Sequence, residues 1–454
     1  MELASSDVLH GRATVEDRWT DVFRHDALVH LGVMGSITIG TFQGYLKDRI
    51  PGFLPYALAD ALFMAAVIAW FGTLVVRRAS IRGPGVVPWV VLAALIVPAL
   101  YFLHPGSPLT LKMAGLRAWA EFPVALLIAL TVIRSPGQVR AYVGLILALC
   151  VITALYGIMQ YRAGPDTALS TELARIRHGT TVFYGIAGNT DFRAYSTFTF
   201  PAPFAQMMVF GILLATGVAL GSGRPPRQRL GAALLVPLFF VGITVSGTRA
   251  AIIILFLGLA LIAWYRGLSA RQLLLVPGLV LALYGSSLLT AGRIFDRWRS
   301  VLLTEGLLWT YAYAPVTIAG RALSDMPFGK GLGRSGVGVP YFIVRSYQPG
   351  YITGSDGDVG RAAVEMGVFG VLLLILLVVG LLPYVAGAMR YLRGTAAEDA
   401  ALGIGSLVLA TGVLLMIGSP LSSAPHATIW WFMAGALLKL VALHHESPEA
   451  LDRG

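Results

Sequence analysis

The sequence predicts an all-α, polytopic membrane protein, and three observations carry that prediction. Hydrophobic residues fill 56% of the 454 positions and charged residues 13%, with a mean hydropathy of +0.74, a balance well outside that of soluble globular domains. Apolar runs of about 20 residues, the length a helix needs to cross the hydrocarbon core, recur along the chain. Arginines gather in alternate short connections, as the cationic excess on the cytoplasmic side of membrane proteins requires. The formal charge of +11 is spread over those connections, so it speaks for membrane orientation and against a nucleic-acid partner.

Residues 1–26 are polar and are expected as a cytoplasmic N-terminal tail. Within them VEDRWTDVFRH is either a short interfacial helix with Trp19 and Phe23 toward lipid or a disordered tail. The first apolar run, 27–46, is long enough to span and should be retained as an anchor and not cleaved as a signal. Further spans are expected near 51–76, 84–103, 117–133, 141–160, 199–221, 230–246, 250–265, 272–290, 361–386, 401–418 and 427–443, about twelve in all. The membrane domain thus covers 27–454, with outer loops at 161–198 and 291–360. Cys150, the single cysteine, lies inside the apolar run GLILALCVITALYG, which excludes an intrachain disulfide and reads as helix packing.

Orientation follows from the short connections. One set holds Arg77, Arg78, Arg82, Arg134, Arg140, Arg224, Arg227, Arg229, Arg266, Arg271, Arg390 and Arg393; the opposite set holds Lys47, Arg49, Lys112, Arg117 and Arg249. The richer set is expected in the cytoplasm, which puts both termini inside and the long polar interruption from Arg293 to Arg361 outside. A large loop confined to one face is where chemistry is expected.

Two outer charges break the pattern. Arg249 opens the span VSGTRAAIIILFLGLALIAWY, where a cation opposes the helix dipole by about 0.3–1 kcal/mol. Either it snorkels to lipid headgroups or pairs with a carboxylate, or its guanidinium and the free amides of the helix start together bind phosphate, a combination suited to a diphosphate. Arg193, in DFRAYSTFTFPAP, is similarly placed just before the sixth span. Two such arginines at one membrane depth suggest a single anionic site.

These residues carry a resemblance. RAYSTFTFPAPFAQMM resembles the "R-x-x-G-T-F-x-x-P-N" entry to a span in bacterial O-antigen ligases and polysaccharide polymerases, and SGTRAAIIILFLGLAL resembles that family's "S-x-S-R-x-x" helix start. ALSDMPFGKGLGRSG is similar to its "A-x-x-x-x-x-x-P-x-x-G-x-G-x-G" segment, and SDGDVGRAAVEMGVFGVLLLIL to "H-N-x-x-L-x-x-L-x-E-x-G-x-x-G". The four matches stand in family order from Arg193 to about Leu376. The resemblance implies a glycosyltransferase C-like fold with its large loop between spans nine and ten. It also implies transfer of a glycan from a polyprenyl diphosphate carrier to an acceptor hydroxyl, with no metal and no cofactor. Arg193 and Arg249 would hold the donor diphosphate and stabilise the charge it gains in the transition state. Where the ligases have a histidine that activates the acceptor, counting back from Glu365 gives Asp356, so a carboxylate would act as general base.

Other readings stand beside this one. Asp356 and Asp358, in S-D-G-D, could form a turn capping the tenth span or an Asp-x-Asp site for magnesium or manganese; in the base reading Asp358 pairs with Arg361 or Arg249. Glu365 lies within the span, where a charge is costly, so it should pair inside the bundle and fix the loop exit. Arg321, Lys330, Arg334, Arg345, Asp358 and Arg361 are candidates for substrate contacts, though each alone reads equally as a solvated or headgroup-facing charge. Trp309, Tyr311, Tyr313, Tyr341, Phe342 and Tyr347 either stack on sugar rings or form an interfacial belt. His178 and His426 are outer histidines, and His426 is the reserve base.

The expectation is therefore a polymerase of exopolysaccharide or O-antigen repeats in a bacterial inner membrane. Its active site faces the periplasm, and its partners are a polyprenyl diphosphate-linked donor, a glycan or lipid-linked acceptor, membrane lipids, and chain-length or export proteins. Ligation to a lipid A core or to protein by the same machinery is the alternative. A lipid-linked oligosaccharide flippase is the rival from another class, although transporters commonly place binding charges at the bilayer midplane.

Overall fold

The computed structural model describes residues 26–52, 54–77, 83–105, 107–178, 183–186, 189–221, 223–267, 313–336, 357–413, 415 and 424–446. Its helices in chain order are α1 (Ala27–Thr41), α2 (Gln43–Lys47), α3 (Leu54–Arg77), α4 (Val87–Phe102), α5 (Leu109–Leu116), a π-helical turn (Arg117–Glu121), α6 (Val124–Val132) and α7 (Pro136–Ala163). Then come α8 (Pro165–Ala168), α9 (Glu172–His178), α10 (Pro201–Leu220), α11 (Pro226–Ser246), α12 (Arg249–Arg266), α13 (Ala314–Asp325), α14 (Gly357–Tyr391), α15 (Glu398–Val413) and α16 (His426–Glu446). Between α9 and α10 the strands β1 (Phe183–Ile186) and β2 (Asn189–Phe192) pair antiparallel, with Phe183 opposite Phe192 and Ile186 opposite Asn189.

Eight segments among the described residues are long and apolar enough to cross a membrane, and α1 and α4 are shorter apolar helices. This is the fold of a helical polytopic membrane protein. Helices stand at eleven of the expected span positions; the span expected at 272–290 lies outside the described residues. Burial separates centre from periphery. In α10 and α16, 78% of the most apolar window is enclosed, against 22% in α3. Accordingly α10 packs against α11, α12 and α15, and α16 against α6, α14 and α15.

Three boundaries differ from the hydropathy pattern. The run 27–46 is cut at Phe42, because the following turn docks on another segment: the Tyr45 amide donates to the Thr197 carbonyl at 3.0 Å, and a Cβ on Gly44 would overlap the Phe198 backbone. The span expected to begin at 117 begins at Leu109 and passes through the π-helical turn. Such turns insert a residue into the helix and rotate the next turns about its axis, often at functional positions. The span expected at 361–386 belongs to a longer helix, Gly357–Tyr391, broken at Gly367, where φ is 58° and ψ is −140°.

Gly367 is there for a reason of space as well as of angle. The Val368 amide donates to the Pro327 carbonyl at 2.8 Å, the Lys330 amide to the Val364 carbonyl at 2.8 Å and the Gly331 amide to the Glu365 carbonyl at 3.1 Å. The turn 326–336 thus lies against the broken helix, and a Cβ on Gly367 would overlap the Pro327 carbonyl oxygen. Gly367→Ala is expected to destabilise the protein by about 2–4 kcal/mol from backbone strain and overlap together. Gly387→Ala, with nothing near the added carbon, should shift stability by no more than about 1 kcal/mol; thermal unfolding in detergent reads both.

Candidate functional site

Arg193 and Arg249 meet at one corner of the fold. Helix α11 ends at Gly247, whose left-handed conformation (φ 58°) turns the chain toward Thr248, and Arg249 is the first residue of α12. The Thr248 side chain makes no cap on the helix amides. It accepts instead from Arg193, whose Nη2 lies 2.9 Å from Thr248 Oγ1 and whose Nε lies 2.9 Å from the Ser246 carbonyl oxygen. The Ala194 amide donates to the Val245 carbonyl at 3.0 Å, so the backbone of 193–194 runs beside the end of α11. The guanidinium of Arg193 therefore rests on the residue that precedes Arg249, and Arg249 itself is only 8% exposed.

The segment after Arg193 is clamped. Gln160 Oε1 accepts from the Tyr195 and Ser196 amides at 3.0 and 2.9 Å. Ser196 Oγ donates to the Thr153 carbonyl at 2.6 Å, and Thr197 Oγ1 to the Thr41 carbonyl at 2.7 Å. These bonds hold Ser196 at a φ of 55°, a left-handed conformation that costs a residue with a side chain on the order of 1 kcal/mol or more. A polar cleft lined by Tyr45, Asp48, Arg49, Tyr156 and Gln160 adjoins Tyr195 and Ser196. In it Arg49 lies over the Tyr45 ring at 3.7 Å from the centroid, and the Tyr195 hydroxyl is 3.3 Å from Asp48 Oδ2. Burial, with the Asp48 carboxylate beside it, pushes the Tyr195 hydroxyl above the ordinary tyrosine range, so it stays a hydrogen-bond donor.

A second group of charges lies inside the bundle, on the short helical stretch before Gly367. Asp358, Arg361 and Glu365 share one helix face and are all enclosed. Glu365 Oε2 accepts from the Trp119 indole N–H at 2.8 Å, and Oε1 accepts from the Ser335 hydroxyl and lies 3.4 Å from the Ser335 amide. Arg361 stands 3.5 Å from Glu365 Oε1 and 3.7 Å from Asp358 Oδ1, with its Cζ 4.2 Å from the centroid of the Trp119 ring. Asp358, expected beside Arg361 or Arg249, is at ion-pair distance from Arg361. Both side chains were candidate substrate contacts, and the structure closes both off from the surface.

The remaining candidates are dispersed. Arg334 donates from Nε to Ser107 Oγ at 3.1 Å, and Lys330 shares the same turn, its carbonyl accepting from Ser107 Oγ at 3.4 Å. Arg321 is exposed on α13. His426, the reserve base, is fully enclosed between the Phe198 and Phe210 rings, at 5.5 and 5.6 Å between centroids, so no acceptor reaches it in this conformation. It opens α16, where that helix meets Phe198. Asp356, Arg345, Trp309, Tyr311, Tyr341, Phe342 and Tyr347 lie outside the described residues; His178 closes α9. Cys150 is buried, with its thiol 3.3 Å from the Met207 carbonyl.

Sequence reasoning missed Trp119 and Ser335. The signal for the first was present in RAWAEF, where Arg117 and Glu121 interrupt an apolar run. In the structure Arg117 grips Asp60 through Nε and Nη2 at 2.5 and 2.6 Å and stands 3.4 Å from Glu121. The two networks are adjacent along the π-helical turn, with Trp119 between Arg117 and Glu121 in sequence.

Removing one partner from a buried ionic group leaves the other uncompensated, at a cost of about 3–5 kcal/mol. Glu365→Ala and Arg361→Ala are each expected to destabilise by about that much, and the double substitution by less than the sum of the two. Unfolding in detergent, followed for all three variants, measures the coupling directly.

The chain matches no protein-family model, and no curated protein matches it.

Proposed function

We propose that this protein is an integral membrane glycosyltransferase that polymerises exopolysaccharide or O-antigen repeats on the outer face of a bacterial inner membrane. The observation that carries the reading is the corner where Arg193 rests on Ser246 and Thr248, immediately before Arg249. Two guanidinium groups on adjacent backbone, beside an uncapped helix N-terminus, suit the oxygens of a lipid-linked diphosphate. They are also the two arginines singled out by the resemblance to O-antigen ligases and polymerases.

In this mechanism the acceptor hydroxyl oxygen attacks the anomeric carbon from the face opposite the diphosphate. The bond from that carbon to the phosphate oxygen breaks, and the configuration inverts. Asp356 takes the hydroxyl proton, and the leaving polyprenyl diphosphate keeps the electron pair as negative charge. Arg193 and Arg249 lower the barrier by stabilising that charge as it develops, since they are already oriented before the reaction begins. Polymerisation leads over ligation to a lipid A core or to protein because Asp356 stands where the ligases carry histidine. Both reactions need the same donor corner.

Reconstitution tests the proposal. In proteoliposomes supplied with a polyprenyl diphosphate-linked oligosaccharide and no metal, chain growth is expected. Arg249→Ala and Arg193→Ala should each reduce it by about 10²–10³-fold, and Asp356→Ala should abolish it, with the unfolding midpoint of each variant confirming that it is folded. Full activity in the Asp356→Ala protein removes the base role from that residue. Movement of the lipid-linked glycan across the membrane without a new glycosidic bond overturns the enzyme reading in favour of a flippase.

A further inference from the structure

A second ligand site lies apart from the Arg193 corner, where α4 ends and the unbroken part of α14 begins. An apolar pocket of about 510 Å³ is walled there by Leu100, Tyr101, Leu103 and His104 on one side and by Phe328 and Phe369 on the other. That volume falls among sites for small organic ligands, roughly 300–1,000 Å³. The walls are tied to each other. The Tyr101 hydroxyl donates to the Phe328 carbonyl at 3.0 Å, and the Phe328 and Phe369 rings stack at 6.3 Å between centroids.

The pocket lining is apolar apart from Tyr101 and His104, and the turn that carries Lys330 and Arg334 adjoins it. Leu100, Leu103 and Phe328 are all more than 60% exposed, so the apolar side opens outward from the bundle, where a bilayer presents hydrocarbon. His104 marks the other end, and the turn carrying Lys330 and Arg334 is fastened there through Ser107, which bonds to the Lys330 carbonyl and to Arg334 Nε. The approach is close: a Cβ on Gly331 would stand 3.3 Å from His104 Nδ1. From Asp325 to Arg334 the chain carries two cations, Lys330 and Arg334, against one anion, Asp325. Its level also fits a membrane interface, since α4 stops at Phe102 and α14 is broken at Gly367, two residues before Phe369.

We propose that this pocket holds one acyl chain of an anionic phospholipid, with the lipid phosphate seated at Lys330 and Arg334. Hydrocarbon fills the apolar walls, and the two cations select the headgroup, as basic pockets between membrane helices do. The site does not depend on the glycosyltransferase reading, because neither Arg193 nor Arg249 contributes to it. It would fasten the 326–336 turn to the lipid on one side as Glu365 fastens it to the bundle on the other.

Site-specific quenching tests this. The full chain with Phe328→Cys in a Cys150→Ala background is labelled with bimane and reconstituted in phosphatidylcholine vesicles containing rising fractions of phosphatidylglycerol with brominated acyl chains. Brominated phosphatidylcholine is the comparison. A second reporter, Leu103→Cys, guards against disturbance of the Phe328–Phe369 stack. Half-maximal quenching is expected at a mole fraction about threefold to tenfold lower for the anionic lipid, and the Lys330→Gln, Arg334→Gln double substitution should erase that difference at both reporters. Equal quenching by the two lipids overturns the proposal. Relief of quenching by polyprenyl phosphate at one equivalent per protein, which phosphatidylglycerol cannot reverse, also overturns it and gives the pocket to a polyprenyl tail.

Discussion

One end of this fold depends on a single buried carboxylate. Glu365 lies inside a helical bundle, where an unsatisfied charge costs several kcal/mol, and its position is fixed by the groups that satisfy it. The indole of Trp119 takes one oxygen, the hydroxyl of Ser335 the other, and the Arg361 guanidinium lies at ion-pair distance. Its own carbonyl accepts the Gly331 amide. Three segments distant in sequence therefore have one allowed arrangement. The π-helical turn at Arg117–Glu121 carries Trp119 to its place, and the break at Gly367 lets the 326–336 turn lie against the helix that carries the acid.

The Arg193 corner is held by different means. There the backbone supplies most of the bonds: Val245, Ser246, Thr153 and Thr41 all contribute carbonyls, and one side chain, Gln160, accepts two successive amides. Two neutral acceptors, the Ser246 carbonyl and the Thr248 hydroxyl, orient Arg193. Arg361 has two carboxylates beside it and an aromatic face over it.

Much of this was legible in the sequence, and the part that was not has a physical reason. Span positions could be read because hydropathy averaged over about 20 residues is a local quantity. Arg193 and Arg249 stood out because a cation at the sparsely charged end of a span departs from the charge asymmetry. Trp119 and Ser335 did not, since their importance lies in a partner 246 and 30 residues away. The break at Gly367 leaves no mark in the hydropathy, and the Pro327 carbonyl pressed against it shows why no side chain fits. His426 looked accessible at the start of its span, yet two phenylalanine rings enclose it. Pairing across the bundle has no signature in a single local window.

A buried ionic group is poor evidence for stability, because well-packed apolar residues of the same volume often stabilise as much or more. The Asp358, Arg361 and Glu365 group is therefore better explained by the segments it positions than by the energy it contributes. Apolar side chains would fill the space without distinguishing one rotation of the helix from another. A carboxylate that must meet an indole N–H and a hydroxyl on separate segments allows one rotation and one depth. The long polar interruption of the sequence returns to the bundle at Gly357, on the helix so fixed, and the turn 326–336 is bonded to Glu365 itself. Two described stretches of that interruption are consequently anchored to one carboxylate, and any chemistry it performs starts from a defined frame.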